Sequence, residues 1–313
     1  MQEESYRSRY QRQRRARRRQ QLGYGLVFAA VVLIAGLFFF IFSDRNSPAD
    51  GGDSETAAYG TPQPTPPPLR TDVQTHWVSL SDLTDTRLLE LVNLQYPARA
   101  EPDSARLVPA WTAVPAQSTD LLVHEAVYTA VDAWFQAASQ ENAGVFLVAS
   151  GYRTLEEQAA LYEAVQDPSL VQPPGHSEHH TGLAIDIAIP QVALADMAWR
   201  PEAAWLAETA WRFGFILRYP EGTMDITGIA YEPWHFRYVG EIHAFYMGEN
   251  HLVFEQYIAL LQERGVLSLS MDGRNYEIWY QTPWEGAIRV PLGLEFTLSG
   301  DNRGGYIVTV ALE

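Results

Sequence analysis

The sequence predicts a mixed α+β fold, and three observations predict it. Helical and strand-like periodicities alternate through the middle of the 313-residue chain, strand-like segments crowd its C-terminal end, and no internal repeat recurs at a fixed period. With 47% hydrophobic residues the chain can fill a substantial core, as one large or two modest domains.

In chain order, residues 1–22 form a basic segment expected on the cytoplasmic side. Gly23 to Phe42 carries no charge and is rich in Val, Leu, Ile and Phe, about the length that spans a bilayer core, so a transmembrane helix is expected at 23–42. Arginines at 7, 9, 12, 14, 15, 17, 18 and 19 precede it, which by the positive-inside bias predicts a single-pass cell-membrane protein with its N-terminus inside and its body outside. The rival is a cleaved signal peptide, whose apolar region is usually about 7 to 15 residues, with Ser47-Pro48-Ala49 a passable cleavage site. Whole-chain net charge is −16, so the part beyond the basic segment is strongly acidic, which argues against nucleic-acid binding. Cysteine is absent, excluding both a disulfide framework and a thiol nucleophile, and every basic residue is arginine.

Residues 43–76 read as an extracytoplasmic linker centred on Pro62-Gln63-Pro64-Thr65-Pro66-Pro67-Pro68. At ~3.1 Å per residue an extended polyproline form would reach up to ~100 Å, far enough to meet the cell wall. A domain is expected over 77–248. Val123, Val127, Val131 and Trp134 recur at helical spacing after Ser118-Thr119-Asp120, which suits an N-cap. Val145 to Ser150 reads as a strand, Gly151-Tyr152-Arg153 as a corner, and Thr154 with Glu157 as the capping box of a following helix. Leu183, Ile185, Ile187 and Ile189 alternate with Ala184, Asp186 and Ala188, so a strand there buries four aliphatics and projects Asp186 from the other face. Pro201 and Gly214 bracket a helix, and Phe215 to Tyr219 is strand-like. From 249 to 313 a helix over Asn250–Arg264, ending at Gly265, leads into a β-rich C-terminal extension with strands at Tyr276–Trp284, Leu294–Leu298 and Tyr306–Leu312.

Two fragments carry chemistry. Ser177 to Asp186 reads Ser-Glu-His-His-Thr-Gly-Leu-Ala-Ile-Asp, and Glu232-Pro-Trp-His235 completes it. A catalytic zinc site takes three ligands from His and Asp or Glu and keeps a fourth position for water, whose pKa the metal lowers to about 7. His179, Asp186 and His235 supply such a set, and Glu232, three residues before His235, is placed as the general base. Either fragment alone is unspecific, since a lone histidine cluster is more often a polar surface loop. Arg153 reads either as a surface residue at a helix start or as a bidentate clamp for a substrate carboxylate. Gln158, one turn on, either adds an amide contact or is a solvated glutamine.

The Ser-x-His-x-x-Gly-x-Ala-x-Asp pattern at Ser177–Asp186, the Ser150-Gly-Tyr-Arg-Thr154 segment and Glu232-Pro-Trp-His-Phe-Arg-Tyr-Val-Gly240 resemble the VanY-type D-alanyl-D-alanine carboxypeptidase family over roughly Leu83 to Tyr246. The resemblance implies an α+β fold with a mainly antiparallel sheet and flanking helices, of the Hedgehog/DD-peptidase-like kind. It implies His179, Asp186 and His235 as Zn2+ ligands, Glu232 as base, Arg153 as the holder of the terminal carboxylate, and Ser177 and Gln158 as substrate contacts. His176 and His180 match no ligand. The implied substrate is a peptidoglycan stem peptide ending in a free carboxylate; membrane attachment through residues 23–42 is expected from the apolar stretch itself, and no obligate protein partner is inferred. Alternatives are an L,D-carboxypeptidase acting on the tetrapeptide stem, a wall-binding module without turnover, and a mononuclear iron oxygenase using the same two histidines and carboxylate. Glu232 argues against the last two.

Overall fold

The computed structural model describes Leu69 and residues 71–312. The basic segment, the expected transmembrane helix and most of the linker lie outside the described residues. Among those described, no helix is long and apolar enough to cross a membrane.

The strands are β1 (Thr75–Ser79), β2 (Leu107–Pro109), β3 (Leu122–His124), β4 (Leu147–Ser150), β5 (Ala184–Ala188), β6 (Phe215–Leu217), β7 (His235–Tyr238), β8 (Val266–Met271), β9 (Arg274–Gln281), β10 (Ala287–Pro291), β11 (Phe296–Gly300) and β12 (Tyr306–Leu312). The α-helices are α1 (Glu125–Gln140), α2 (Leu155–Val165), α3 (Pro201–Thr209), the single turn α4 (Met224–Thr227), α5 (Glu241–Glu249) and α6 (Phe254–Arg264). One antiparallel sheet has the order β4-β5-β7-β6 and a second the order β11-β12-β9-β8, while β1 pairs with β10 and β2 with β3. The mixed fold with antiparallel sheets is as expected.

Alternation in β5 sets the first core. Leu183, Ile185, Ile187 and Ile189 all pack into it against Val127, Val131 and Trp134 of α1. Trp134 stacks on Phe215 at 5.2 Å, meets Phe236 edge-on at 5.0 Å, and donates from its indole to Thr209 Oγ1. Asp186 faces away from this core, as a period of two requires. A second core joins α5 and α6 to one face of the C-terminal sheet through Phe254, Ile258, Leu261, Ile278 and Ile307. A third lies on that sheet's other face, where Trp279, Val308 and Val310 meet Ile288 and Val290 of β10. The chain just after the proline-rich stretch enters this third core, because β1 is hydrogen-bonded to β10.

Two boundaries differ from expectation for identifiable reasons. Helix α1 begins at Glu125, not after Ser118–Asp120, and its N-cap is His124, whose Nδ1 accepts from Ala126 N–H at 3.1 Å. Leu122 to His124 is drawn into a ladder with β2, so its backbone groups are unavailable to a helix. The expected helix from Asn250 begins only at Phe254, because Asn250 N–H bonds back to Tyr246 O and closes α5.

Candidate metal centre and substrate cleft

Register assembles the site. Ser150, Asp186 and His235 are direct cross-strand neighbours on β4, β5 and β7. The β4–β5 ladder slips between Val148 and Ser150, a bulge of the kind that re-aims a strand beside a functional site. Gly151 follows, and a Cβ there would lie 2.3 Å from Leu122 O, so only glycine admits β3 this closely. Its carbonyl accepts from His179 Nδ1 at 2.6 Å.

His179 arrives on a short 3-10 turn, Glu178–Thr181, capped by Ser177 Oγ at one end and by Gly182 in the left-handed region at the other. One ligand atom each from His179, Asp186 and His235 lies within 4.8 Å of the others. His179 Nε2 is 3.4 Å from Asp186 Oδ2, and His235 Nδ1 is 3.0 Å from Asp186 Oδ1. Because Nδ1 of His179 is committed to Gly151 O, its Nε2 is left as the lone-pair nitrogen facing the carboxylate. Burial, then Arg153, lowers the His179 pKa and keeps the ring neutral, as a ligand must be. Burial opposes a charge on His235, yet Asp186 and Glu178 push its pKa up to about 9. The proton between His235 Nδ1 and Asp186 joins the two groups that a divalent cation would join. Two imidazoles and one carboxylate converging in a nearly buried pocket fit a zinc-type ion.

Glu232 lies in the same cleft, its Oε2 3.9 Å from His235 Nδ1. Burial, reinforced by Asp186 and opposed by His235 and Arg153, pushes its pKa up to about 8. Arg153 lines the cleft, which has a volume of about 290 Å³. Its NH1 donates to Gln158 Oε1 at 2.7 Å and its NH2 to Ser150 Oγ at 2.8 Å, so the guanidinium is held from behind. Gln158 is 1% exposed. Its Nε2 donates to Gln172 O, so both ends of its amide are engaged by the protein. Ser177 also lines the cleft, and its oxygen accepts from His179 N–H at 3.3 Å. All seven residues singled out in the sequence therefore line one cavity.

Sequence reasoning missed what stands behind the ligands. Glu178 is 1% exposed and takes Arg218 Nε at 2.8 Å and Arg237 NH1 at 3.2 Å on Oε1. Burial would raise its pKa, but the two guanidinium groups hold it well below the carboxylate range. Its Oε2 is 3.5 Å from His235 Nε2, and neither atom has another partner among the described residues. An ionised carboxylate thus backs the far nitrogen of His235, which leaves Nδ1 toward Asp186. Arg237 is two residues beyond His235 on the same face of β7, the one hint that alternation offers. His180, which matches no ligand, has Nδ1 2.7 Å from Arg153 O and accepts from Gly175 N–H on Nε2.

The VanY family model, described as D-alanyl-D-alanine carboxypeptidase, matches residues 120–241. VanXYC of Enterococcus gallinarum, a bifunctional D-Ala-D-Ala dipeptidase and D-Ala-D-Ala carboxypeptidase, is 35% identical over 181 residues, covering 54% of this chain and 92% of that protein. The chain belongs to the VanY family. A D-alanyl-D-alanine carboxypeptidase of Enterococcus faecium is 43% identical over 166 residues, 53% of this chain and 54% of that protein, so this VanY-family chain spans about half the length of that relative. Among solved structures, the vancomycin-resistance D,D-dipeptidase VanXYg, in complex with a D-Ala-D-Ala phosphinate analogue, superposes with a TM-score of 0.65 at 29% identity, covering 77% of this chain and 99% of that one. The likeness in fold thus reaches well beyond the segment matched by the VanY model.

Proposed function

We propose that the chain is a zinc-dependent D,D-carboxypeptidase that removes the terminal D-alanine from peptidoglycan stem peptides. The observation that carries this is the partly buried Arg153 guanidinium lining the same cleft as Glu232 and the His179–Asp186–His235 set. Internal peptide bonds offer no free carboxylate to such a clamp, whereas the last bond of a chain does. VanXYC is both a D-Ala-D-Ala dipeptidase and a D-Ala-D-Ala carboxypeptidase, and VanXYg was captured with a D-Ala-D-Ala phosphinate analogue, which supports the same substrate class here.

Zinc bound by His179, Asp186 and His235 would polarise the scissile carbonyl and lower the pKa of water at the open position. Arg153 would pair with the terminal carboxylate and fix the last residue in the cleft it shares with the residues that would hold the zinc. Glu232 takes a proton from the attacking water on its carboxylate oxygen and returns it to the leaving nitrogen as the C–N bond breaks. The products are free alanine and the shortened peptide acid. Leu161, Val165, Leu170 and Val171 form an apolar wall of the cleft. Residues 23–42 and the arginines before them support a membrane-anchored enzyme with this cleft outside the cell.

The test is mass spectrometry of purified pentapeptide and tetrapeptide muropeptides after incubation with the zinc-loaded full chain. Loss of one alanine from the pentapeptide alone is expected, with Glu232→Ala slower by ~10²–10⁴ while still holding zinc. Loss from the tetrapeptide alone would reassign the chain to L,D-carboxypeptidases, and no release from either would reject the proposal.

A further inference from the structure

Apolar side chains begin where the carboxylate clamp ends. Gln158, Leu161 and Val165 stand at i, i+3 and i+7 on one face of α2, and all three line the cleft. Gln158 accepts from Arg153 NH1 on Oε1 and donates from Nε2 to Gln172 O, so the next turn of α2 and the residue before Gln172 are set directly beside the clamp. Those positions hold Leu161 and Val171, and Leu170 comes just before them on the loop; all three line the cleft. Val165 is 39% exposed and Leu170 43%, in a chain that buries most of its large aliphatics. The loop that carries Leu170 is braced. Leu170 N–H and Val171 N–H both donate to Asp167 O, Asp167 Oδ1 accepts from Ser169 N–H and from its hydroxyl, and Ser169 O accepts from Ala230 N–H. Apolar surface kept uncovered on a rigid support in a cleft marks a place where a ligand sits.

We infer that Leu161, Val165, Leu170 and Val171 form the subsite for the side chain of the substrate's C-terminal residue, and that the chain removes apolar D-residues larger than alanine. The inference rests on the carboxypeptidase reading. Arg153 would hold the terminal carboxylate, and the wall starts next to it, whereas the residues that would hold zinc come from β5, β7 and the turn before β5. The terminal side chain springs from the carbon that bears the carboxylate, so it lies on the clamp side of the scissile bond, within reach of the wall. An alanine methyl covers only a fraction of four aliphatic side chains, whereas leucine or methionine meets several of them at once. None of the four can hydrogen-bond, so a polar residue of similar size gains no partner there and loses its water. The hydrolysis is otherwise the same. The oxygen of water joins the peptide acyl carbon, its proton goes to the leaving amine, and the larger D-amino acid departs.

Release rates from three pentapeptides, ending in D-Ala-D-Ala, D-Ala-D-Leu and D-Ala-D-Asn, test this with the zinc-loaded full chain, as wild type and as the double variant Val165→Ser, Leu170→Ser. Both positions are exposed, so serine there leaves the core intact. In the wild type, kcat/KM for the D-Leu peptide should equal or exceed that for the D-Ala peptide and be ~10-fold or more above that for the D-Asn peptide, since one methylene in an apolar pocket is worth ~10–200-fold. In the double variant the ratio of D-Leu to D-Ala release should fall ~10-fold. A D-Leu peptide cleaved more slowly than the D-Ala peptide by the wild type would overturn the inference and leave the carboxypeptidase reading standing. So would a D-Asn peptide cleaved as fast as the D-Leu peptide, or an unchanged D-Leu to D-Ala ratio in the variant. No release from any of the three would overturn the carboxypeptidase reading and this inference with it.

Discussion

Glu178 occupies an unspecified position in the Ser-x-His motif, and the sequence gives no reason to read it as more than a spacer. Its partners show why. Arg218 is 40 residues away and Arg237 is 59, so the buried cluster exists only once β6 and β7 are in place. The candidate metal group was legible because motif and chemistry coincide at His179, Asp186 and His235, whose ligand atoms the fold gathers within 4.8 Å. The support behind them was not, because burial of a charge cannot be seen in a linear pattern. Removing the carboxylate with Glu178→Ala leaves two guanidinium groups buried and should cost ~3–5 kcal/mol. Glu178→Gln keeps the shape and removes the charge behind His235. It should weaken zinc binding ~10- to 100-fold in competition against a chromophoric chelator, with the fold retained. Wild-type zinc affinity in that variant would show that His235 needs no such support.

Elements specified by nearby residues were readable, and those specified by distant pairing were not. The Thr154–Glu157 capping box forms as expected, with Glu157 N–H donating to Thr154 Oγ1 at 3.2 Å and Thr154 N–H to Glu157 Oε2 at 2.9 Å. Both halves of that signal lie within four residues. By contrast β2 and β3 are three residues each and exist only as a mutual pair, and β7 carries His235 without any alternation long enough to detect. Strand β8 is likewise defined by its partner β9, and β10 by β1, about 200 residues earlier in the chain. Thr154→Ala should remove ~1 kcal/mol, a Tm decrease of ~2–4 °C in thermal unfolding. Because Arg153 is the residue just before the cap, the same variant should also raise KM for the peptide. A KM equal to wild type would mean that Gln158 and Ser150 hold the guanidinium without help from the helix start.

At the scale of the whole molecule, His243 ties the helices to the C-terminal sheet. On α5, it places Nδ1 2.7 Å from Tyr257 Oη of α6 and Nε2 3.0 Å from Thr309 Oγ1 of β12. Burial drives its pKa down from 6.5 to about 3. The unfolded chain therefore takes up a proton below pH 6.5 that the folded one refuses. Stability present above pH 6.5 is lost as pH falls toward 3, by up to ~1.4 kcal/mol per pH unit for one proton. His124, lowered to about 4 by burial and then by Arg106, adds loss in the same direction over a narrower range. Thermal unfolding of the metal-free protein from pH 6.5 to 4.5 should show Tm falling, partly offset by Glu232, whose raised pKa makes the folded chain take up a proton over the same range, and His243→Gln should flatten the fall. An equal slope in both proteins would place the acid sensitivity elsewhere.

Cross-strand alignment also makes the site all-or-none. Ser150, Asp186 and His235 meet only if three strands are aligned to the residue, and a slip of β7 by one position would bring Phe236 opposite Asp186 and turn His235 toward the core. A sheet out of register does not bring the three residues side by side. Metal capture therefore reads out correct alignment of the sheet, and a chain that has mispaired its strands presents no such group to a metal.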